Sequence, residues 1–182
     1  MRMRNLFFIF LALSFVFGVS QFVFSAEGLF RSYDVCVVQD LEVPTGSPAP
    51  ESSGIQMAEK AVYQIKRYNE KYNLFETIVK EGGKAAQEIP SGKKVLLIKG
   101  EVKEYTRSSV GRQIRRSLIP GGGYTGSTAF AAHYMFIDKD SGKVIYETDL
   151  RTTSTGSDDT VEYAMDRNGE ALAKLITKYK EK

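Results

Sequence analysis

Alternating hydrophobic and polar positions divide most of the chain into strands and helices. Residues 33–38 read YDVCVV, a strand that is apolar on both faces, as is typical of a strand buried in the middle of a sheet. Residues 94–105, 127–138 and 143–153 alternate with the two-residue period of strands. A shorter apolar run at 74–79 predicts one more strand.

Two other stretches follow the helical period. Apolar residues recur at three- and four-residue spacing over about 55–72, with charged residues on the opposite side, which predicts an amphipathic helix. Ser53, followed three residues later by Gln56, fits a capping box at its start. Residues 159–162 (DTVE) are typical of a helix start and predict a second helix that reaches the basic C-terminal end of the chain.

The resulting order is β-α-β-β-β-β-α. We expect an α+β fold, a two-layer sandwich with a mixed sheet, an antiparallel meander over 94–153 and two helices on one face. Strict alternation predicts that Tyr105 shares the solvent face with Lys99, Glu101 and Lys103. By the same rule Val144 shares the buried face with Tyr146 and Leu150, whereas Ile145 lies on the wetter face beside Glu147.

Residues 138–143 (DKDSGK) predict a hairpin turn with Gly142 at a position of positive φ. Asp138 and Asp140 also suggest a calcium loop. That loop needs glycine at its sixth position and a glutamate at its twelfth, whereas here Gly142 is fifth and Asp149 occupies the twelfth. The plain turn is therefore the preferred interpretation.

The first 25 residues have the pattern of a secretory signal peptide. Arg2 and Arg4 precede an uncharged apolar run, and no acidic residue occurs before position 26. The same run is almost long enough to cross a membrane, so an uncleaved anchor is the alternative to cleavage. Both interpretations place residues 29–182, predicted as a single domain, outside the cytoplasm, in the periplasm or beyond it.

Composition limits the chemistry that the chain can perform. The chain has 25 Lys and Arg against 22 Asp and Glu, which leaves +1 once the two leader arginines are removed. This balance excludes a strongly basic nucleic-acid binder. A single Cys (Cys36) and a single His (His133) exclude a disulfide framework and any metal site built from several of them, and no cofactor motif stands in a suitable context.

His133 and Cys36 lie on predicted strands, where each fits a packed position. His133 could serve in a hydrolase only if a serine and an acid approach it in space. Cys36 has no basic neighbour in the sequence to activate its thiol, so we expect a buried, unreactive residue. The sequence therefore contains no catalytic constellation, and a small hydrolase that uses His133 is the weakest functional hypothesis.

The segment 106–127 is the most unusual part of the chain. It is much longer than a normal hairpin loop, combines arginines with interleaved apolar residues, and ends in a glycine run. The candidate contact residues are Arg107, Arg112, Arg115, Arg116, Gly121, Gly122, Gly123 and Tyr124. Guanidinium groups suit phosphates and carboxylates, so the segment is either an anion-facing or partner-binding element or a solvated loop whose charges pair with nearby glutamates.

Three short motifs together resemble a known family. They are VQDLEVP at 38–44, LIKGEV at 97–102 and the run from Asp138 through Ser141-Gly142-Lys143-Val144-Ile145. With the leader, this pattern resembles the bacterial exported domain-of-unknown-function family "forty-four-ten". Many members of that family look like lipoproteins, whereas this chain lacks the cysteine that would carry the lipid. The layout is also similar to periplasmic domains of curli-secretion-type lipoproteins, as an analogy of fold.

The resemblance implies no catalytic residue, because the family has no established activity. We therefore expect an exported, non-enzymatic envelope protein that acts through contacts with another envelope protein or with copies of itself. The alternative is a binding module for an anionic lipid headgroup or lipopolysaccharide phosphate, held by the arginines of segment 106–127.

Overall fold

The computed structural model describes residues 28–82, 89, 92–107, 125–155 and 160–181. The strands are β1 (Val35–Val38), β2 (Thr77–Lys80), β3 (Val95–Thr106), β4 (Thr125–Asp138) and β5 (Val144–Thr155), and the helices are α1 (Ser52–Tyr72) and α2 (Val161–Glu181). The order β-α-β-β-β-β-α is the predicted one.

The five strands form one mixed sheet in the order β2-β1-β3-β4-β5. β1 runs parallel to both of its neighbours, with Val37 opposite Val79 on one side and Leu97 on the other. β3, β4 and β5 form the predicted antiparallel meander. Parallel β1 and β2 need a crossover connection, which α1 provides, and this explains why one helix lies between them in sequence.

Both helices pack on the same face of the sheet and bury the main core beneath them. Phe130, Tyr134 and Phe136 of β4 are completely buried there, together with Met57 of α1 and Leu172 of α2. The predicted two-layer α+β sandwich is confirmed. We call the sheet face under the helices the helix face, and the opposite one the open face.

A second, smaller apolar cluster lies on the open face. Its buried members are Val35, Val37, Val79, Val95 and Leu97. Ile89, which lies between β2 and β3 in the sequence, packs against this cluster together with Ile137. All four residues of β1 are buried, as its sequence predicted.

A register shift between Val102 and Glu104 overturns the predicted position of Tyr105. Tyr105 stands opposite Phe130 and is only 7% exposed, so it belongs to the helix face with Val102. A β-bulge inserts one extra residue into a strand, and every side chain beyond it therefore changes face. Strict alternation cannot reveal where such a bulge falls.

A second register shift, at the start of β5, corrects the prediction for Val144 and Ile145. Val144 pairs with Ile137, whereas Tyr146 pairs with Phe136, which leaves Ile145 as the extra residue. Val144 is therefore among the exposed hydrophobic residues, and Ile145 packs against the main core. The two residues have exchanged the environments that simple alternation assigns to them.

The predicted capping box on Ser53 is wrong. α1 begins one residue earlier at Ser52 with Glu51 as N-cap, and no side chain caps it. The Ser53 hydroxyl is buried without a hydrogen-bond partner. The start of α2 agrees better with its sequence, because the Thr160 hydroxyl accepts a 3.2 Å hydrogen bond from the Tyr163 amide.

The turn between β4 and β5 is the predicted hairpin turn. Gly142 has a φ of 68°, and its amide donates a 2.8 Å hydrogen bond to the Asp138 carbonyl. The Asp138 carboxylate accepts hydrogen bonds from the Ser141 amide at 2.8 Å and from the Ser141 hydroxyl at 2.9 Å. Asp138 thus closes the turn, as expected for an aspartate at this position.

The predicted leader at residues 1–25 lies outside the described residues. In the described part of the chain, neither helix is long and apolar enough to cross a membrane.

Candidate functional site

Charged side chains form regular rows across the open face of β3, β4 and β5. Glu101, His133 and Asp149 are register partners on three adjacent strands and make up the first row. Glu104, Ala131 and Arg151 make up the next row. Side chains in register on adjacent strands lie close enough to interact, so these rows bring together residues that are far apart in sequence.

His133 lies between carboxylates of the neighbouring strand. Its Nδ1 is 2.9 Å from Asp149 Oδ1, and its Nε2 is 3.5 Å from Glu147 Oε2. The His133 side chain is 24% exposed, so the half-buried position predicted from the sequence is confirmed. The sequence did not reveal the carboxylate partners, because they reach His133 only through the strand register that the turn and bulge set.

The second row contains a two-bond ion pair. Arg151 Nε donates a 2.7 Å hydrogen bond to Glu104 Oε2, and Arg151 Nη2 donates one of 3.2 Å to Glu104 Oε1. This pairing lowers the pKa of the Glu104 carboxyl from its ordinary value. On β3, Lys103 Nζ also donates a 2.6 Å hydrogen bond to Glu101. Acidic and basic side chains are therefore paired on this part of the open face.

Of the predicted contact residues in segment 106–127, the structure describes Arg107. It follows β3 directly, and its Nη2 donates a 3.3 Å hydrogen bond to the Tyr105 hydroxyl. Its guanidinium carbon is 5.4 Å from the centre of the Tyr105 ring, a cation–π distance. The other candidates lie outside the described residues: Arg112, Arg115, Arg116, Gly121, Gly122, Gly123 and Tyr124. Thr106 and Thr125, near the ends of the segment, belong to β3 and β4.

The described residues show what chemistry the titratable groups support. Burial raises the pKa of the Cys36 thiol to about 12, so the thiol stays protonated and unreactive. Both ring nitrogens of His133 face carboxylates. Within the described ranges, no three His, Cys, Asp or Glu side chains are grouped so that they could hold a metal ion.

The outer edge of β5 is a further accessible surface. β5 ends the sheet order, and among the described residues no strand pairs with its outer side. Its charged residues Glu147, Asp149 and Arg151 are all exposed. An edge strand presents unpaired backbone N–H and C=O groups, which makes it a template for another strand. In the part of the chain that the structure describes, the charged rows of the open face therefore end at an unpaired edge.

Comparison by sequence finds no relatives. No protein-family model matches the chain, and no curated protein matches it either. The family resemblance suggested by the short motifs thus has no support from these comparisons.

Comparison by structure does find similar folds. The PelC dodecamer from Paraburkholderia phytofirmans matches with a TM-score of 0.53 at 12% identity, over 80% of this chain and 89% of that one. A second PelC dodecamer structure, of a single-residue variant, gives 0.50 at 12% identity over 80% and 88%. A Xanthomonas campestris protein of the DUF330 family model gives 0.46 at 7% identity over 80% of both chains. The chain therefore shares its fold with PelC while differing from it at most positions.

Proposed function

We propose that this protein is exported to the bacterial envelope and acts there without catalysis, through protein–protein contacts in which copies of itself take part. The observation that carries the proposal is the shared fold with PelC, which was solved as a dodecamer. The secretory pattern of residues 1–25 supports export. Membership of the "forty-four-ten" family belongs to the same proposal and rests on the three sequence motifs.

The structure supports a binding role in two ways. Open-face charges are arranged in rows that end at the unpaired edge of β5, so they are available to a partner. Cys36 is buried and the pKa of its thiol is raised, so the thiol does not serve as a nucleophile. These features favour recognition over chemistry.

Crosslinking in living cells tests the proposal. The tagged full chain is crosslinked, recovered from separated cytoplasmic and envelope fractions, and identified by mass spectrometry together with its own N-terminus. We expect the protein in the envelope fraction, with crosslinked species at multiples of its mass, either alone or together with a defined envelope protein. A cytoplasmic protein, or an envelope protein without crosslinked copies of itself, would overturn the proposal.

Binding of an anionic envelope ligand is the second candidate function. Its support is that antiparallel β3 and β4 bring Arg107 and Thr125 to the same end of the sheet, so the chain between them, with its three further arginines, starts and returns there. Guanidinium groups suit a lipid headgroup or a lipopolysaccharide phosphate.

Co-sedimentation with vesicles tests this second candidate. Reversal of Arg112, Arg115 and Arg116 to Glu is expected to abolish binding to vesicles that contain anionic phospholipid. Reversal of Lys66 and Arg67 on α1 serves as a control for total charge and is expected to leave binding unchanged. Equal binding by the arginine variant and the parent protein would exclude the segment as an anion site.

A further inference from the structure

The outer edge of β5 has a regular central stretch that can accept another strand. Natural edge strands are guarded by short length, by proline, by lysine and other charged side chains, or by bulges. β5 is 12 residues long and reads VIYETDLRTTST, without proline or lysine. Its register with β4 is regular from Tyr146 to Thr153, between the two irregular ends. Within this stretch β5 carries both acidic and basic side chains, Glu147, Asp149 and Arg151, so an identical strand can complement its charges.

We infer that the edge of β5 pairs antiparallel with the same edge of a second copy of this chain, with Leu150 facing Leu150 across a two-fold axis. The inference rests on the self-association in the proposed function and names the surface that carries it. Two identical antiparallel strands are related by two-fold symmetry, so each contact occurs twice. The result is a continuous sheet that extends through both copies.

Charge favours one register over its neighbours. Residues that face each other across the two strands must lie on the same side of the sheet. The two-fold axis therefore passes between two copies of one residue, and each register is named by that central residue. In the register centred on Leu150, Asp149 of each copy faces Arg151 of the other. Glu147 of each copy faces Thr153 of the other. Opposite charges in facing positions stabilise a strand pair.

The neighbouring registers bring like charges together. In the register centred on Asp149, that residue faces its own copy, although Glu147 of each copy faces Arg151 of the other. In the register centred on Thr148, Glu147 of each copy faces Asp149 of the other. In the register centred on Arg151, the two copies of that arginine face each other. Like charges in directly facing positions destabilise a strand pair. Among these four, the register centred on Leu150 alone has no like-charge pair.

The ion pairs within one copy leave Arg151 and Asp149 able to form further hydrogen bonds with a second copy. Arg151 has five N–H donors, of which Glu104 uses two, and its side chain is 59% exposed. Asp149 bonds His133 through Oδ1, and its side chain is 77% exposed. Pairing would join Glu104 and Arg151 of one copy to Asp149 and His133 of the other. The two charged rows would then continue across the interface.

The helix-face residues of β5 are compatible with the same register. Leu150 and Thr148 alternate with the charged residues and are only partly exposed. In the proposed register Leu150 faces itself and Thr148 faces Thr152. The register therefore places apolar against apolar, hydroxyl against hydroxyl and acid against base.

Charge reversal tests the pairing with the full chain purified from the envelope fraction. Asp149→Arg would place two guanidinium groups opposite each other, and Arg151→Asp would do the same with two carboxylates. Each variant alone is expected to self-associate at least about tenfold more weakly than the parent protein in analytical ultracentrifugation. An equimolar mixture of the two is expected to recover association, because every facing pair is then of opposite charge.

The mixture also shows that the variants are folded. Lys66→Glu, a charge reversal on the exposed side of α1, is the matched control and is expected to associate like the parent. Parent-like association of either single variant, or failure of the mixture to associate, would overturn the inference. If the parent protein associates and these variants associate equally well, the edge of β5 is not the contact surface, and the proposed function still stands. A parent protein that is monomeric overturns self-association itself.

Cysteine crosslinking tests the register. The double variant Glu147→Cys with Thr153→Cys is expected to form disulfide-linked dimers on mild oxidation, because these positions face each other across the two-fold axis. They are too far apart to join within one strand, and Cys36 is buried. Asp149→Cys is expected to remain unlinked. Efficient dimers from Asp149→Cys, and none from the double variant, would overturn the register centred on Leu150.

Discussion

The Tyr134 hydroxyl on β4 donates a 2.7 Å hydrogen bond to Asn168 Oδ1 on α2 in the middle of the core. Asn168 Nδ2 in turn donates to the Leu150 carbonyl at 2.9 Å and to the Thr152 hydroxyl at 3.3 Å. Every polar atom of the Asn168 side chain is thus satisfied although the residue is completely buried. A satisfied polar network fixes α2 in one position over β4 and β5.

Removing one partner of this network is expected to destabilise the fold. Asn168→Leu leaves the buried Tyr134 hydroxyl without an acceptor, at a cost of about 1–3 kcal/mol in the free energy of unfolding. Tyr134→Phe is expected to cost about 1 kcal/mol, and the double variant less than the sum. Urea unfolding measures all three. Tyr63→Phe, at an exposed tyrosine of α1, is the control and should stay within about 0.5 kcal/mol. Additive costs would show that the two residues are not coupled.

Gly54 is expected to tolerate no larger side chain. A Cβ at this position would lie 1.9 Å from the Leu41 carbonyl oxygen, which is backbone and cannot rotate away. We expect Gly54→Ala to cost about 2 kcal/mol or more, against the roughly 1 kcal/mol that alanine gains over glycine within a helix. The midpoint of urea unfolding gives the comparison, with Ser52→Ala at the exposed start of α1 as control. A stabilised Gly54→Ala protein would refute the close approach.

Asp138 is expected to contribute to the loss of stability in acid. Hydrogen bonds from the Ser141 amide and from the Tyr33 hydroxyl lower the pKa of Asp138 to about 2. A carboxyl whose pKa is lower in the folded than in the unfolded chain stabilises the fold above the unfolded value. That contribution is lost as the pH falls from about 4 to about 2.

Urea unfolding as a function of pH measures this contribution. The difference in stability between the parent and Asp138→Asn is expected to be constant near neutral pH and to shrink between about pH 4 and pH 2. Asp140→Asn removes the same charge from the same turn and is the control. A difference that stays constant to pH 2 would show that Asp138 is not selectively stabilised as a carboxylate.

Cys36 is expected to be unreactive in the folded protein. Its thiol is buried and its pKa is raised to about 12, so almost no thiolate is present at neutral pH and no reagent reaches it. Because it is the chain's single cysteine, thiol labelling reports on this position alone. We expect labelling by a disulfide reagent to be slow in buffer and immediate in denaturant. Rapid labelling without denaturant would indicate that the sheet opens at β1.

The sequence alone determined the elements, their order and the turn at Gly142. Period-two and helical patterns depend on local burial, and a glycine with positive φ depends on local backbone geometry, so both can be read from neighbouring residues. The burial of β1 on both faces could be predicted for the same reason. The failed capping box at Ser53 shows the limit of a local pattern, since tertiary packing buries that hydroxyl instead.

Only the tertiary structure decided which residues meet. One bulge before Glu104 brought Tyr105 into the core, and another placed Val144 outside and Ile145 inside. The His133 contacts with Asp149 and Glu147 and the unpaired edge of β5 likewise depend on strand order and register. Register is set by the packing energy of the whole sheet, because a one-residue shift moves every side chain beyond it to the other face. No local pattern in the sequence carries that information.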